Sequence, residues 1–113
     1  MNIKQYFNYD KPAIAPELVY EITESFLDNF YASSNDSEKF NLFFHLLHEY
    51  QFLNSLKLRE ETAYLCYLLS YYLFVSLTPP HSMPLALFYA KEATRLHESE
   101  KYREWLNLVE RGN

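Results

Sequence analysis

Glycine is nearly absent from this chain, which has one glycine, Gly112, among 113 residues. Glycine is the residue that most readily adopts the left-handed backbone of tight hairpins and bulges. A β-rich domain of this length would need several glycines for its turns. The sequence therefore predicts an all-α fold. An apolar content of 49% is enough to give a single domain, residues 1–113, a substantial core.

Breaks in the apolar pattern divide the chain into an N-terminal arm and five predicted helices. Residues 1–15 form the predicted extended arm. Three prolines within residues 79–84 predict a rigid, non-helical connection. The predicted helices cover, in chain order, residues 16–32, 38–56, 59–77, 84–98 and 100–111. Because their connections are short, we expect an antiparallel array or bundle.

Several residues mark where the predicted helices begin and end. Pro16 suits the first turn of a helix, where its missing N–H does no harm. Asp36 or Ser37 is the predicted N-cap of the second helix, and Ser99 can cap the fifth. Gly112 is expected to end the fifth helix.

The second and third predicted helices are the most apolar parts of the chain. Apolar side chains surround most of residues 38–56, so we expect neighbouring helices to cover them. Within residues 63–77, only Ser70 and Ser76 are plainly polar. This run is shorter than the ~20 residues that a membrane span requires, so we interpret it as a central core helix.

Four carboxylates recur at helical spacing in the first predicted helix. They are Glu17, Glu21, Glu24 and Asp28, and no Lys follows a Glu by four residues within 17–31. At ~100° per residue the four share one face, opposite the apolar side chains of the same segment. Like charges at these spacings cost a few tenths of a kcal/mol per pair. One interpretation is an ordinary solvated face; the other is a binding site for a basic protein.

Tyrosines at the border of this face favour the binding interpretation. Tyr20 and Tyr31 would add rigid contact area of the kind that is enriched at protein interfaces. Residues 1–36 also hold two Lys against six Asp or Glu, out of a net charge of -5 for the chain. Without a basic patch, direct binding to nucleic acid is disfavoured. The predicted site is therefore Glu17, Tyr20, Glu21, Glu24, Asp28 and Tyr31, facing a basic partner.

Catalytic and cofactor motifs are not recognisable in the sequence. The single cysteine, Cys66, has apolar neighbours and is expected to be a small buried group. His45, His48 and Glu49 can share a helix face with Asn41, as half of a metal site or, in the interpretation we prefer, as a polar strip on a buried helix. We predict no enzyme activity, metal or cofactor, and a cytoplasmic protein, since no secretion signal is recognisable.

Residues 64–96 resemble a single tetratricopeptide (TPR) hairpin. Ala86, Ala90 and Ala93 occupy positions where the second helix of such a repeat packs against its partner, and Leu65 and Leu68 match large apolar positions of the first. Leu69 stands where the family usually has glycine. The resemblance implies a binding scaffold, so an adaptor or chaperone that holds a peptide between helices three to five is an alternative function.

In size, acidity and aromatic content, the chain resembles the small acidic immunity proteins of bacterial contact-dependent inhibition systems. Aromatic residues make up 19% of it. This resemblance implies a protein that neutralises a toxin, for example a nuclease, by covering its basic surface with the acidic helix face. A membrane partner is not expected, and the sequence leaves the oligomeric state open.

Overall fold

The computed structural model describes residues 13–112 and confirms an all-α single domain. A 3₁₀ helix, Pro16–Glu21, is followed by five α-helices, and a π-helical segment, Tyr72–Leu77, continues the third of them. The α-helices are α1 Glu24–Ser33, α2 Asp36–Ser55, α3 Arg59–Tyr71, α4 Ser82–Leu96 and α5 Glu100–Arg111. In residues 13–112, no helix has both the length and the apolar content to cross a bilayer. Most of the predicted arm, residues 1–15, lies outside the described part.

The predicted helix over residues 16–32 is wrong as a single element. Its backbone is extended at Ile22, where φ is -81° and ψ is 107°, and it begins again as α1. One tertiary and one local interaction explain the break. The Ile22 side chain is fully buried, and the Thr23 hydroxyl accepts a hydrogen bond of 3.1 Å from the Phe26 N–H as the N-cap of α1.

Asn35 is the N-cap of α2, in place of the predicted Asp36 or Ser37. Its side chain accepts a bond of 2.9 Å from the Glu38 N–H, and the Glu38 carboxylate accepts one of 3.0 Å from the Asn35 N–H. This reciprocal pair is a capping box, which satisfies two backbone donors at once. Ser99 does occupy the N-cap position of α5, although its side chain makes no capping hydrogen bond.

The central element is α3, as expected for the most apolar segment. Every residue from Thr62 to Ser70 is buried, and α3 packs most extensively against α4 and α2. On α4, Ala86, Ala90 and Ala93 are all buried, so this helix presents a face without bulky side chains to its neighbours.

Neighbouring helices do not cover all of α2, contrary to expectation. Phe40, Phe44 and Leu56 are exposed, with Phe44 retaining 61% of its accessible surface. Further exposed apolar side chains, Met83, Leu85 and Phe88, lie on α4, and Tyr50 of α2 contacts Tyr89 of α4 with ring centroids 5.9 Å apart. Apolar surface is therefore left open on two helices that meet at this tyrosine pair.

Scarcity of glycine affects how α2 ends. Lys57 has a left-handed backbone, with φ at 59°, where glycine is the usual residue. The Leu58 N–H bonds the Leu53 carbonyl at 3.3 Å, and the Lys57 N–H bonds the Asn54 carbonyl at 3.0 Å. These two bonds form a Schellman motif, so α2 ends by a regular mechanism on a residue that is strained there.

Replacing Lys57 with glycine should stabilise the protein. Lys57→Gly relieves the left-handed strain at the cost of a more flexible unfolded chain, for a net gain of about 0.5–1 kcal/mol in the free energy of unfolding. Urea unfolding would measure it as a higher midpoint at an unchanged slope. Lys57→Ala is the matched control, because it removes the charge and retains the strain; an equal gain in both variants would contradict this account.

Candidate functional site

The six residues predicted to bind a partner lie on two elements. Glu17, Tyr20 and Glu21 belong to the 3₁₀ helix, whereas Glu24, Asp28 and Tyr31 belong to α1. The predicted single row on one helix is therefore wrong, because the backbone turns at residues 22 and 23 between the two groups. Glu17, Tyr20, Glu21 and Asp28 are exposed, while Glu24 and Tyr31 are half-buried.

Glu24 is held by two other parts of the chain. The Tyr67 hydroxyl donates a hydrogen bond of 2.7 Å to Glu24 Oε2, and Lys101 Nζ lies 3.0 Å from the same oxygen. Burial raises the pKa of Glu24, but the hydrogen bonds and the Lys101 charge outweigh burial and leave the pKa lowered. Lys101 Nζ also lies 4.8 Å from the centre of the Tyr67 ring. This carboxylate is thus fixed in its ionised form.

Asp28 and Tyr31 also make internal contacts. The Tyr71 hydroxyl lies 3.0 and 3.1 Å from the two Asp28 carboxylate oxygens. Burial, followed by the bond to Asp28, raises the pKa of Tyr71 to about 12, so this hydroxyl remains a donor at neutral pH. The Tyr31 ring packs edge-on against Tyr72, and Lys39 Nζ lies 4.3 Å from the centre of the Tyr31 ring. Tyr31 therefore contributes mainly to packing.

Tyr20 is the exposed aromatic residue of the site. Its ring retains 47% of its accessible surface and packs on Tyr64 at a centroid distance of 4.8 Å. Burial raises the pKa of Tyr20, and the charges of Glu61 and Glu60 raise it further. These two carboxylates in the first turn of α3 therefore lie near Tyr20, although the sequence prediction did not include them.

We call this region the acidic surface and define it by Tyr20 and six carboxylates: Glu60 and Glu61, whose charges act on Tyr20, Glu17 and Glu21 of the same 3₁₀ helix, and Glu24 and Asp28 of α1. Three elements contribute to it, namely the 3₁₀ helix, α1 and the start of α3. In the described part of the chain, Lys101 forms an ion pair with Glu24, and His97 Nδ1 lies 3.8 Å from Glu60. The acidic surface keeps a net negative charge after both contacts.

The spacing of Tyr64, Tyr67 and Tyr71 is the signal that sequence analysis missed. Residues at steps of three and four share a helix face, and a tyrosine needs a partner for its hydroxyl. Tyr64 donates to the Ile22 carbonyl at 2.5 Å, so all three hydroxyls point toward the residues that precede or form α1. A row of tyrosines on an apolar helix thus indicates where a polar segment docks.

The predicted polar strip on α2 is divided in the structure. His48 and Asn41 are exposed, His45 is half-buried, and Glu49 points inward with 2% of its surface accessible. Among residues 13–112, no group of three or more His, Cys, Asp or Glu side chains is placed to hold a metal ion.

Cys66 is fully buried as expected, and burial raises the pKa of its thiol to about 12, which makes a thiolate nucleophile unfavourable.

Comparisons with known proteins gave no match: no protein-family model, curated protein or solved structure is similar to this chain. Functional inference therefore depends on the geometry of the acidic surface and of the exposed apolar residues.

Removing the Tyr67 hydroxyl should raise the pKa of Glu24. Tyr67→Phe deletes a hydrogen bond to the ionised carboxylate and should cost about 0.5–1.5 kcal/mol of stability. A carboxyl with a lowered pKa stabilises the fold above its unfolded pKa and loses that contribution as the pH falls through its folded pKa. The variant should therefore lose less stability than the wild type on acidification. NMR titration of the Glu24 carboxyl measures the shift directly, and Tyr71→Phe, which affects Asp28 instead, should leave Glu24 unchanged.

Proposed function

We propose that this chain is a protein-binding protein whose acidic surface covers a basic protein. Its most concrete form is a cytoplasmic immunity protein that neutralises a toxin, such as a nuclease, by occluding a positively charged cleft. The observation that supports it best is Tyr20, a half-exposed ring that packs on Tyr64 and lies within the field of Glu61 and Glu60 of α3. Aromatic anchors of this kind, within a field of one sign, are typical of steered protein interfaces.

The carboxylates of the acidic surface fall into two groups that would act differently. Glu24 and Asp28 are fixed by Tyr67 and Tyr71, so little side-chain entropy would be lost when a partner binds them. The side chains of Glu17 and Glu21 make no hydrogen bond or ion pair with another residue in the described part. These two would contribute mainly to the long-range attraction that speeds association.

Charge reversal at the free carboxylates tests this function. Glu17→Lys combined with Glu21→Lys should slow association with a basic partner recovered from the native host by about tenfold or more at low salt. Stopped-flow mixing at several salt concentrations measures the rate. We avoid Glu24 in this test because its reversal would also break contacts to Tyr67 and Lys101.

The matched control carries the same change of charge on another helix. Glu104→Lys combined with Glu110→Lys alters two exposed residues of α5 and should slow association much less. Equal rates for the wild type and the Glu17, Glu21 variant would contradict the proposed interface. Equal slowing by both double variants would mean that only net charge matters.

Toxin neutralisation is tested separately from binding. Cells that produce the basic partner should survive when the wild-type chain is co-produced, and growth should fall with the Glu17, Glu21 variant. A partner that binds but causes no toxicity would contradict the immunity role and leave the binding role intact.

The exposed apolar residues favour a second candidate, an adaptor that binds a peptide or protein partner. Phe44 on α2 and Phe88 on α4 retain 61% and 51% of their accessible surface. Exposed large apolar side chains on neighbouring helices are typical of interaction sites. The groove predicted between helices three to five is a poorer candidate, because Trp105 packs there against Tyr67 and Phe74.

Substitution of the exposed phenylalanines separates the two candidates. If the chain is an adaptor, Phe44→Ser combined with Phe88→Ser should lower its affinity for the partner. The free energy of unfolding should change by less than about 1 kcal/mol, since both rings are exposed. Ala86 and Ala90 are fully buried, so substitutions there would test folding instead of binding. Unchanged partner affinity in the Phe44, Phe88 variant, measured by calorimetry, would rule out this surface.

A further inference from the structure

Among the Asp, Glu, His, Lys and Arg side chains of residues 13–112, Glu49 is the one that is buried. Its Oε1 accepts a hydrogen bond of 2.7 Å from the backbone N–H of Ile14, 35 residues earlier. Its Oε2 has no hydrogen-bond partner within the described part of the chain. A buried polar atom without a partner is costly, and its presence in a folded protein calls for an explanation.

The contact with Glu49 fixes the place where the described chain enters the fold. Ile14 is buried as well, and Pro16, the first residue of the 3₁₀ helix, follows two positions later. The hydrogen bond therefore holds the segment Ala13–Ala15 against α2. Opening this contact would expose the Ile14 side chain and free the segment next to the 3₁₀ helix.

The contact is closed while Glu49 accepts the Ile14 hydrogen bond, and the protonation state of Glu49 decides how much free energy this closed form costs. A neutral carboxyl can still accept the Ile14 bond through Oε1, whereas an ionised one must leave a charge in an apolar site. Burial raises the pKa of Glu49 to about 7 from its usual 4.5, and among the described residues the Ile14 N–H opposes this rise. The closed contact is therefore favoured by low pH, and the open one, in which water solvates the carboxylate, by high pH.

Other titratable groups lie near Glu49, and a substitution at Glu49 is needed to separate their titration from that of Glu49. On α2 the adjacent titratable residues are His48, which is exposed, and Tyr50, whose pKa is raised by burial. His45 lies one turn earlier, and Ala13–Ala15 carry no titratable side chain. The buried titratable residues of α3, Tyr64, Cys66 and Tyr67, stay protonated at neutral pH because burial raises each pKa. In the 3₁₀ helix, all titratable side chains are exposed.

We propose that Glu49 is a proton-operated latch, which in its neutral form holds Ala13–Ala15 against α2 and in its ionised form releases them. The latch controls the segment that leads into the 3₁₀ helix. It does not depend on the proposed binding function, and its test uses no partner.

Hydrogen exchange at Ile14 tests the latch, because this amide is protected only while the contact is closed. After correction for the intrinsic rate, exchange measured by NMR should rise roughly 50- to 100-fold between pH 5 and 8.5, as expected from the two pKa values of Glu49. Ile14 should also exchange faster than Leu65 in the centre of α3. Corrected exchange that is independent of pH, or Ile14 and Leu65 exchanging at equal rates, would overturn the proposal.

Glu49→Gln keeps an oxygen acceptor for the Ile14 N–H and cannot titrate, so the corrected exchange of Ile14 should become independent of pH. Glu110→Gln, at an exposed position of α5, is the matched control and should retain the wild-type dependence. A wild-type dependence in Glu49→Gln would assign the effect to another group and overturn the proposal. Should Glu49→Gln not fold, titration of the Glu49 carboxyl carbon in the wild type decides: a midpoint near 7 supports the latch, and one below 5 refutes it.

Discussion

The burial of α3 on all sides is the constraint from which the rest of the structure follows. A helix that is buried on all sides, as α3 is from Thr62 to Ser70, must be covered by its neighbours, and its polar groups must find partners inside. The hydroxyl groups of α3 and its π-helical extension meet this need by bonding different covering elements. These bonds join Tyr64 to Ile22, Tyr67 to Glu24, Tyr71 to Asp28, Tyr72 to Lys39 and Ser70 to Ala86. Apolar burial supplies most of the stability, and the hydroxyls determine where each element docks.

This arrangement explains why part of the acidic surface has a fixed geometry. Tyr67 and Tyr71 present donors at positions four residues apart on α3, and α1 meets them with Glu24 and Asp28, which are also four apart. Burial raises the pKa of Glu24, but the bond from Tyr67 and the charge of Lys101 lower it, so its charged form is stabilised against repulsion from neighbouring charges. The same two residues thus help to dock α1 and contribute negative charge to the surface.

The sequence was most informative where a single local signal decides the structure. The bounds of α5 agree with the predicted 100–111, because Ser99 and Gly112 mark its two ends, and the helical path from Arg59 to Leu77 agrees as well. The break at residues 22 and 23 was missed, because it depends on burying Ile22 in a core built from distant residues. Glu60 and Glu61 were not part of the predicted site for the same reason, because they come near Tyr20 only through tertiary packing.

Contacts within the fold explain why some of the carboxylates of the acidic surface are present, but they do not explain the others. Glu24 and Asp28 have partners that justify their charge without any function. Glu17 and Glu21 have none in the described part of the chain, and they lie on the same 3₁₀ helix as Tyr20, whose ring is half-exposed. No internal contact in the described part accounts for their charge, and Glu60 and Glu61 add two further carboxylates whose charges act on Tyr20. The case for a basic partner therefore depends on these two residues and Tyr20, and no longer on a continuous row of four.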